Sequence, residues 1–541
     1  MNYDAVLIHP PAIYDFRKKA IFPGPIGYTV SGNSGQFIMP PVGILSIAEY
    51  LTRHGYRARV DNIGERMFTG PEFDVESYLG KLKASVYAIG LHWCVHTQGA
   101  IEIARICKQI HPDALVVLGG LTASVFHEEI LQKFGFVDAV IRGEAEKPFL
   151  QLMRSLGPEP DLGAVPNLTY RKPDGSIEVT SIMAPDEDLD EYEFTRLDLL
   201  EPKGAIFTPG MYSSWVVPIA RGCLYNCVSC GGSAYSYRTH FGRQRPAFRS
   251  PGKIVKDLRK LSKQGVQLVF LFQDPRMGGK VYWRSLLSAL QRENLPLRQI
   301  TMEIFGPADE EFIQELSKIK VPVMLTISPE SGVDAIRGAH GRKYTNQGLF
   351  KTIELCKQYG ITLGAFSMIA LANDTPETIQ QTWESWEQIC SMNVNQHAPV
   401  DYAFGPMILL DPGSLAFDRS ASYGYKLIFK NLEDYFKGMS QPAWHQWISY
   451  ETKFLDREAI ANLTIDSLEY SINLRERYGF YSKSQADTAR FCFVDAGKET
   501  ITVVDDAMQL HDEAARLERL KSFREELDRE LGEMLNKRPA G

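Results

Sequence analysis

Short apolar runs alternate with amphipathic stretches from residue 3 to about residue 150. The runs predict five β-strands, at residues 5–8, 57–60, 86–90, 115–118 and 139–141. The stretches between them carry apolar residues at helical spacing, as in residues 44–51 and 100–107. This βαβα order predicts an α/β protein in which residues 1–150 form a doubly wound, Rossmann-like parallel sheet. Such a sheet binds ligands beyond the carboxyl ends of its strands.

The pattern changes twice further along the chain. Residues 151–212 lose the periodicity and carry turn sequences and an acidic run at 186–191, which predicts a linker. In residues 213–404 strand-like and helical runs alternate again, which predicts a full or partial β/α barrel. Its predicted strands are 215–220, 268–272, 300–304, 323–327 and 363–369. Residues 405–541 have a weaker strand pattern, and segments such as 423–439 and 506–537 predict a mainly helical C-terminal region.

Composition narrows the class of protein. The chain has 541 residues, of which 44% are hydrophobic and 23% charged, as in a folded globular protein. The net charge of −7 offers no basic field to a phosphate backbone, so nucleic acid is not an expected partner. No run approaches the roughly 20 apolar residues of a transmembrane helix, and no signal-peptide pattern is present. We expect a cytoplasmic protein without a transmembrane segment, which leaves peripheral membrane contact open.

Three of the eight cysteines, Cys223, Cys227 and Cys230, form a cluster with the spacing CxxxCxxC. In a chain without a secretory signal the thiols are expected to be reduced, and a tight group of them indicates a metal site. Three thiolates hold three irons of a 4Fe-4S cluster and leave the fourth iron open to another ligand. Zinc is the alternative, but a structural zinc site takes four ligands, and the nearest histidine, His240, lies ten residues beyond Cys230.

This loop, placed just after the first barrel strand, resembles the signature of the radical S-adenosylmethionine (SAM) superfamily. In that family the open iron binds the amino and carboxylate groups of SAM, and reduction cleaves SAM to a 5′-deoxyadenosyl radical. Gly231, Gly232 and Ser233 stand where the family's Gly-Gly-Glu motif binds the SAM amino group. Ser328 and Glu330 resemble a fourth-strand contact to SAM, and residues 368–371 resemble a segment beside the adenine. Ser233 and Ser229 depart from the glutamate and the aromatic residue that the family usually has.

Two further charged residues are candidates for the SAM site. Under a barrel model Glu303, at the end of a strand, and Arg342, after the next helix, lie near the C-terminal mouth where barrel sites form. An ordinary surface ion pair is the alternative interpretation.

A second resemblance concerns the N-terminal sheet. Gly119, Gly120, Leu121 and Thr122 follow a strand, where small residues leave room for a bulky ligand and a hydroxyl can bond to it. With residues 39–51 upstream and the segment around Gly143 and Glu144 downstream, this loop is similar to the cobalamin-binding domain that precedes the barrel in one large radical SAM class. The resemblance implies that these six residues contact cobalamin.

The Asp-x-His-x-x-Gly motif, which places a histidine on cobalt in other cobalamin proteins, is absent. The resemblance therefore implies that cobalamin binds without that histidine. His92 and His96, on either side of Cys94 in a predicted strand-end loop, are either replacements or packed polar residues. The stiff His9-Pro10-Pro11 loop after the first strand either lines the corrin pocket or ends the strand.

The two resemblances imply a cobalamin-dependent radical SAM enzyme with a 4Fe-4S cluster, SAM and cobalamin as cofactors. The first hypothesis is a methyltransferase that acts on an unactivated carbon through the 5′-deoxyadenosyl radical and methylcobalamin, under anaerobic conditions and with flavodoxin or ferredoxin as electron donor. The second is a cyclase, ring-contracting or carbon-carbon bond-forming enzyme without methyl transfer. The third is a non-catalytic cobalamin or redox carrier, against which the missing fourth cysteine argues. Aromatic residues of the C-terminal region either line a pocket for an apolar, lipid-like substrate or form core: Trp444, Trp447, Tyr450 and Phe454.

Overall fold

The N-terminal domain is built on an eight-stranded sheet. The computed structural model describes residues 3–24, 41–157, 161–203, 213–392, 400–406 and 409–536. The strands of the sheet are β1 Tyr3–His9, β2 Ala58–Asn62, β3 Ala84–Gly90, β4 Leu115–Gly119, β5 Ala139–Ile141, β6 Leu168–Arg171, β7 Ile177–Val179 and β8 Leu200–Glu201. Their spatial order is β7-β6-β5-β4-β3-β1-β2-β8. The five predicted strands are parallel in the order 2-1-3-4-5, which confirms the doubly wound arrangement and places a topological switch between β1 and β3.

Residues 168–201 complete this sheet instead of forming a linker. β6 and β7 extend it in antiparallel pairing beyond β5, and β8 pairs in parallel with β2 at the other edge. These strands are two to four residues long, so they carry too little periodicity to appear in the sequence. They form because the two edges of the parallel sheet offer unpaired backbone groups.

Helices cover both faces of the sheet, as a parallel sheet requires. β1 illustrates this, because the consecutive residues Ala5, Val6, Leu7 and Ile8 are all at most 1% exposed. The helices of this domain are α1 Val42–Arg53, α2 Ile63–Thr69, α3 Val75–Lys81, α4 Thr97–Ile110, α5 Leu121–Val125, α6 His127–Lys133 and α7 Glu146–Ser155. The face with α1 and α7 shares one hydrophobic core with the following domain.

The second domain is a partial β/α barrel, as predicted. Its main strands are β9 Ser214–Pro218, β12 Leu268–Phe272, β13 Gln299–Ile304, β14 Val323–Glu330, β15 Thr362–Ile369 and β16 Val400–Pro406, and a short ribbon of β10 Ala220–Arg221 with β11 Ala247–Phe248 follows β9. The six main strands are parallel and lie in chain order. Alternate residues of β13 are buried, which directs Met302 and Ile304 to the outer helices and Glu303 to the interior.

The barrel helices lie outside the strands. They are α8 Ala234–His240, α9 Pro251–Lys263, α10 Gly279–Gln291, α11 Glu310–Ser317, α12 Asp334–Ala339, α13 Asn346–Gln358 and α14 Pro376–Ser391. Several begin at a residue whose side chain caps the helix, for example Ser250 before α9 and Thr375 before α14.

The C-terminal region is mainly helical. It contains α15 Leu415–Asp418, α16 Leu432–Met439, α17 Arg457–Arg477, α18 Lys483–Ala489, α19 Ala496–Met508 and α20 Glu513–Asn536, with a hairpin of β17 Tyr425–Leu427 and β18 Tyr450–Thr452. The predicted helix over 423–439 is thus wrong in its first half, where Gly424, with φ of +81°, leads into β17. Among the described residues, none of the helices combines the length and apolar character that crossing a bilayer requires.

Three of the four aromatic residues singled out in this region form core rather than a pocket. Trp444, Trp447 and Tyr450 are 0% exposed and belong to one hydrophobic cluster with Ala370 and Leu371, whereas Phe454 is 50% exposed and lines neither of the two cavities described below. The Tyr450 hydroxyl donates to the Ala370 carbonyl oxygen at 2.9 Å.

Candidate functional site

The cysteine loop occupies residues 222–233, between the β10 strand and helix α8. Two backbone N–H groups point at its sulfur atoms: that of Tyr225 at the Cys223 sulfur (3.4 Å) and that of Gly232 at the Cys230 sulfur (3.3 Å). The Ser233 hydroxyl accepts a hydrogen bond from the Ser236 N–H at 3.3 Å and so caps α8. This cap fixes the position at which the loop ends. The Ser233 hydroxyl is therefore already bonded to the backbone of the helix.

Two other segments hold the loop from outside. The Val228 N–H donates to the His340 carbonyl at 3.1 Å, and a side chain at Gly341, with φ of +91°, would lie 2.5 Å from the Asn226 carbonyl oxygen. On the other side the Gly231 N–H donates to the half-buried Asp411 carboxylate at 3.0 Å. A Cβ atom on Gly231 would lie 3.0 Å from the Cβ atom of Asp411, so a side chain there would displace Asp411.

The three cysteines fit an iron-sulfur cluster. All three line one cavity of about 610 Å³ at the carboxyl end of the barrel strands. Burial raises the pKa of the Cys223 and Cys227 thiols, that of Cys227 to about 11. Bound iron reverses this preference, because a metal ion deprotonates the thiol that coordinates it. Among the described residues no group of three Cys, His, Asp or Glu side chains is arranged to hold a single metal ion.

This large cavity also contains buried acceptor atoms. Among the described residues, neither Oε2 of Glu303 nor Oε1 of Gln273 has a hydrogen-bond partner, although both atoms are buried in its wall. Burial raises the pKa of Glu303 to about 7, against the opposing effect of Arg342. Gln273 has a φ of +90°, at the end of β12. The unpaired oxygen atoms of Glu303 and Gln273 are therefore available to accept hydrogen bonds from a ligand.

The residues predicted for SAM fall into two groups. Gly231, Gly232, Ser233, Glu303 and Arg342 line the large cavity. Ser328 and Glu330, at the end of β14, lie outside the lining of the described cavities. Glu330 still reaches the site indirectly, because it forms an ion pair with Arg342 at 3.2 Å.

Sequence reasoning missed Gln273, Asp411 and Trp93, which also line this cavity. The run Gln273-Asp274 directly follows a predicted strand, and polar residues at that position were the signal that pointed to a site. The sequence around Asp411 contains no pattern that indicates a site. Asp411 belongs to the C-terminal region and reaches the cavity only through the tertiary fold.

A second, smaller cavity, here called the slot, lies in the N-terminal domain. It has a volume of about 200 Å³ and is lined by Gly119, Gly120, Leu121, Gly143 and Glu144 together with apolar residues of β3, β4 and α1. Thr122, the remaining residue predicted for cobalamin, lines the large cavity instead. The slot opens at the switch between β1 and β3, where doubly wound sheets bind ligands.

The slot and the large cavity adjoin. They share six lining residues, Pro41, Gly43, His92, Leu121, Arg221 and Tyr237. The other predicted histidine candidate, His96, is 1% exposed, with its ring centroid 4.9 Å from that of His9. The His9-Pro10-Pro11 loop packs on α4, because the Pro11 carbonyl oxygen would lie 1.9 Å from a Cβ atom on Gly99.

An ion-pair network joins the two domains beside this junction. Arg221 of the barrel bonds to Glu144 at 3.3 Å and to both carboxylate oxygens of Glu146. Glu144 also pairs with Arg243 at 2.6 Å, and Glu146 accepts from the Ser46 hydroxyl at 2.7 Å. Although burial opposes it, Arg221 holds the pKa of Glu146 below its usual value.

Replacing Arg221 by methionine should destabilise the protein by about 3 kcal/mol, because it leaves a buried carboxylate without its cation. The free energy of unfolding in urea measures this loss. The double variant Arg221→Met with Glu146→Gln should recover much of it, since the uncompensated charge is then gone. Arg259→Met, which breaks the exposed pair with Glu293, is the control and should leave the unfolding midpoint unchanged. Equal losses in the single and double variants would contradict the electrostatic origin.

Comparison with known proteins identifies two domains in the chain. A model of the B12 binding domain matches residues 28–153, and a model of the radical SAM superfamily matches residues 217–384. An anaerobic magnesium-protoporphyrin IX monomethyl ester cyclase of Rubrivivax gelatinosus is 25% identical over 371 residues, 66% of this chain and 63% of that protein. A hopanoid C-3 methylase of Methylococcus capsulatus is 25% identical over 395 residues, 70% of each chain. The alignment with the cyclase thus spans less than two thirds of that relative.

A solved structure shares the fold over nearly the whole chain. It is that of the cobalamin-dependent S-adenosylmethionine radical enzyme OxsB with aqua-cobalamin and S-adenosylmethionine bound, with a TM-score of 0.60 and 13% identity, and it covers 99% of this chain and 81% of that chain.

The chain belongs to the radical SAM superfamily and carries an N-terminal B12-binding domain. It is a cobalamin-dependent radical SAM enzyme rather than a carrier, and its cofactors are a 4Fe-4S cluster, SAM and cobalamin. A small-molecule substrate and an external reductant fit this family.

Proposed function

We propose that this enzyme transfers a methyl group to an unactivated carbon atom of a small apolar substrate. The observation that carries the proposal is the junction of the slot with the large cavity, which share six lining residues. Cobalamin supplies the methyl-transfer chemistry, and the cluster with SAM supplies the radical that removes hydrogen from the substrate. Both must reach the same carbon atom, and two adjoining cavities place the cofactors side by side.

The chain's own residues divide the work of binding. Cys223, Cys227 and Cys230 hold the cluster, and Gly231, Gly232 and Ser233 leave room beside it for SAM. Gln273 and Glu303 would accept hydrogen bonds from donor groups of SAM, and Arg342, paired with Glu330, would bind its carboxylate. Ser328, on the same strand as Glu330, completes the residues proposed for SAM. Gly119, Gly120, Leu121, Gly143 and Glu144, which line the slot, would hold the nucleotide tail of cobalamin, and Thr122, which lines the large cavity, would contact the corrin.

The walls of the large cavity support an apolar substrate. Seven aromatic residues line it: Trp93, Phe194, Tyr225, Tyr237, Phe270, Phe272 and Phe305. Phe272 is 42% exposed and Tyr225 38% exposed, so these two rings mark the mouth through which substrate enters. An apolar substrate that fills this mouth keeps water from the radical. A flavodoxin or ferredoxin is the expected electron donor.

Ring closure or carbon-carbon bond formation without methyl transfer is the second candidate, because one of the two relatives is named as a cyclase. It requires the same cofactors and the same two adjoining cavities.

Feeding labelled methionine separates the two candidates without knowledge of the substrate. A strain that lacks the gene is complemented with the wild-type chain or with Cys230→Ala, grown anaerobically on ¹³C-methyl methionine, and its metabolites are compared by mass spectrometry. We expect a compound with one additional ¹³C methyl group only in the wild-type strain. A wild-type-specific compound of changed hydrogen content without the label would support the second candidate and contradict methyl transfer.

The purified enzyme gives an independent reading. With reductant, SAM and the accumulated substrate, methyl transfer predicts one S-adenosylhomocysteine for each 5′-deoxyadenosine. 5′-Deoxyadenosine alone would contradict it.

A further inference from the structure

His92 lies at the boundary between the slot and the large cavity and lines both of them. It follows β3 in the loop at the carboxyl end of the sheet, one residue before Trp93. The two rings meet edge to face with centroids 4.9 Å apart. His92 therefore borders both cavities.

The backbone of His92 is fixed by the glycine loop. Its carbonyl oxygen accepts hydrogen bonds from the N–H (3.2 Å) and the hydroxyl (3.1 Å) of Thr122. Gly120 has a φ of +115°, and a Cβ atom there would lie 2.6 Å from the Cα atom of His92. The two loops are thus in direct contact, and the position of His92 relative to the slot is determined by packing.

The covalent structure of cobalamin determines which face of the corrin ring a residue at this position would contact. Its nucleotide tail hangs from the lower face of the corrin ring. This inference rests on the proposed function, in which the slot holds the tail: the lower face would then turn toward the N-terminal domain and the upper face toward the cysteine loop. A residue that borders both cavities would lie beneath the corrin.

Only one of the six shared residues can donate a nitrogen lone pair to a metal. Arg221 is a cation held by Glu144 and Glu146, Tyr237 carries a phenol, and the others, Pro41, Gly43 and Leu121, have no ligand atom in their side chains. We propose that the His92 imidazole is the lower axial ligand of cobalt in the cobalamin-loaded enzyme. This role is independent of whether the reaction transfers a methyl group.

The protonation state of His92 is suited to this role. Burial, and to a smaller extent His9, lowers its pKa to about 4, so the imidazole is neutral at physiological pH. Neutral imidazole is the form of histidine that binds metals.

Electron paramagnetic resonance of cob(II)alamin in the loaded full-length enzyme tests the assignment. A lower axial ¹⁴N atom splits each cobalt hyperfine line into three, and a ¹⁵N atom splits it into two. We expect a doublet in protein labelled with ¹⁵N-histidine. A triplet that survives labelling would identify the nucleotide base of cobalamin as the ligand, and an unsplit spectrum would exclude any nitrogen; both outcomes overturn the proposal.

Two variants assign the signal to a residue. His92→Ala should lose the splitting while its cobalamin content, read from the visible spectrum after acid release, stays within about twofold of wild type. His96→Gln, at the other candidate histidine, should keep it. Splitting that persists in His92→Ala overturns the proposal. If that variant does not retain cobalamin, the labelled wild-type protein and the labelled His96→Gln variant decide the question together: a doublet in both supports His92, and loss of the doublet in His96→Gln overturns the proposal.

Discussion

Replacing Cys223, Cys227 or Cys230 by alanine should reduce SAM cleavage to the level of a protein-free blank. Each substitution removes one of the three thiolates that hold the cluster, and without the cluster no electron reaches SAM. Iron and sulfide content after anaerobic reconstitution, and 5′-deoxyadenosine released with SAM and dithionite, measure the two losses.

Cys492→Ala is the matched control for this substitution. Cys492 is half-buried, as are Cys223 and Cys227, but it lies in the C-terminal region and is not part of the large cavity. Its variant should retain full iron content and activity. Retained 5′-deoxyadenosine formation in any of the three loop variants would contradict the cluster assignment.

The second large effect is expected for Gly120→Ala. Because its φ is +115° and the added Cβ atom would lie 2.6 Å from the His92 backbone, either the glycine loop or the His92 loop must move. Backbone strain of this kind costs on the order of 1–3 kcal/mol. The movement also closes the slot, so we expect cobalamin content after reconstitution to fall at least about tenfold.

Gly135→Ala provides the comparison within the same domain. A Cβ atom on Gly135 meets nothing within 4 Å. This variant should bind cobalamin and melt as the wild-type protein does. Normal cobalamin content in Gly120→Ala would show that the glycine loop does not border the cofactor.

The strands of both domains were predictable because local periodicity reports burial. β4 runs from Leu115 to Gly119 where 115–118 was predicted, and β13 runs from Gln299 to Ile304 where 300–304 was predicted. The alternation in β13 even indicates that Glu303 faces the interior. Glu303 and Arg342, predicted from their positions at strand and helix ends, do line the large cavity.

Other features had no local signal. β6, β7 and β8 form only because the edges of the parallel sheet accept them, and Trp444, Trp447 and Tyr450 have the same aromatic character in a core as in a pocket. Asp411 reaches Gly231 across 180 residues of chain. Periodicity carries no information about contacts at such separation.

By itself the sequence determined the order of the two α/β domains, their strands and the cysteine loop, because these depend on residue types at short and regular spacing. Only the tertiary structure decided that the slot and the large cavity adjoin, and that His92 rather than His96 lines both of them. The reason is that two histidines in one loop are equivalent in a sequence. Gly120 packs against the backbone of His92 and holds this residue at the boundary of the two cavities. His96 packs against His9 and is buried.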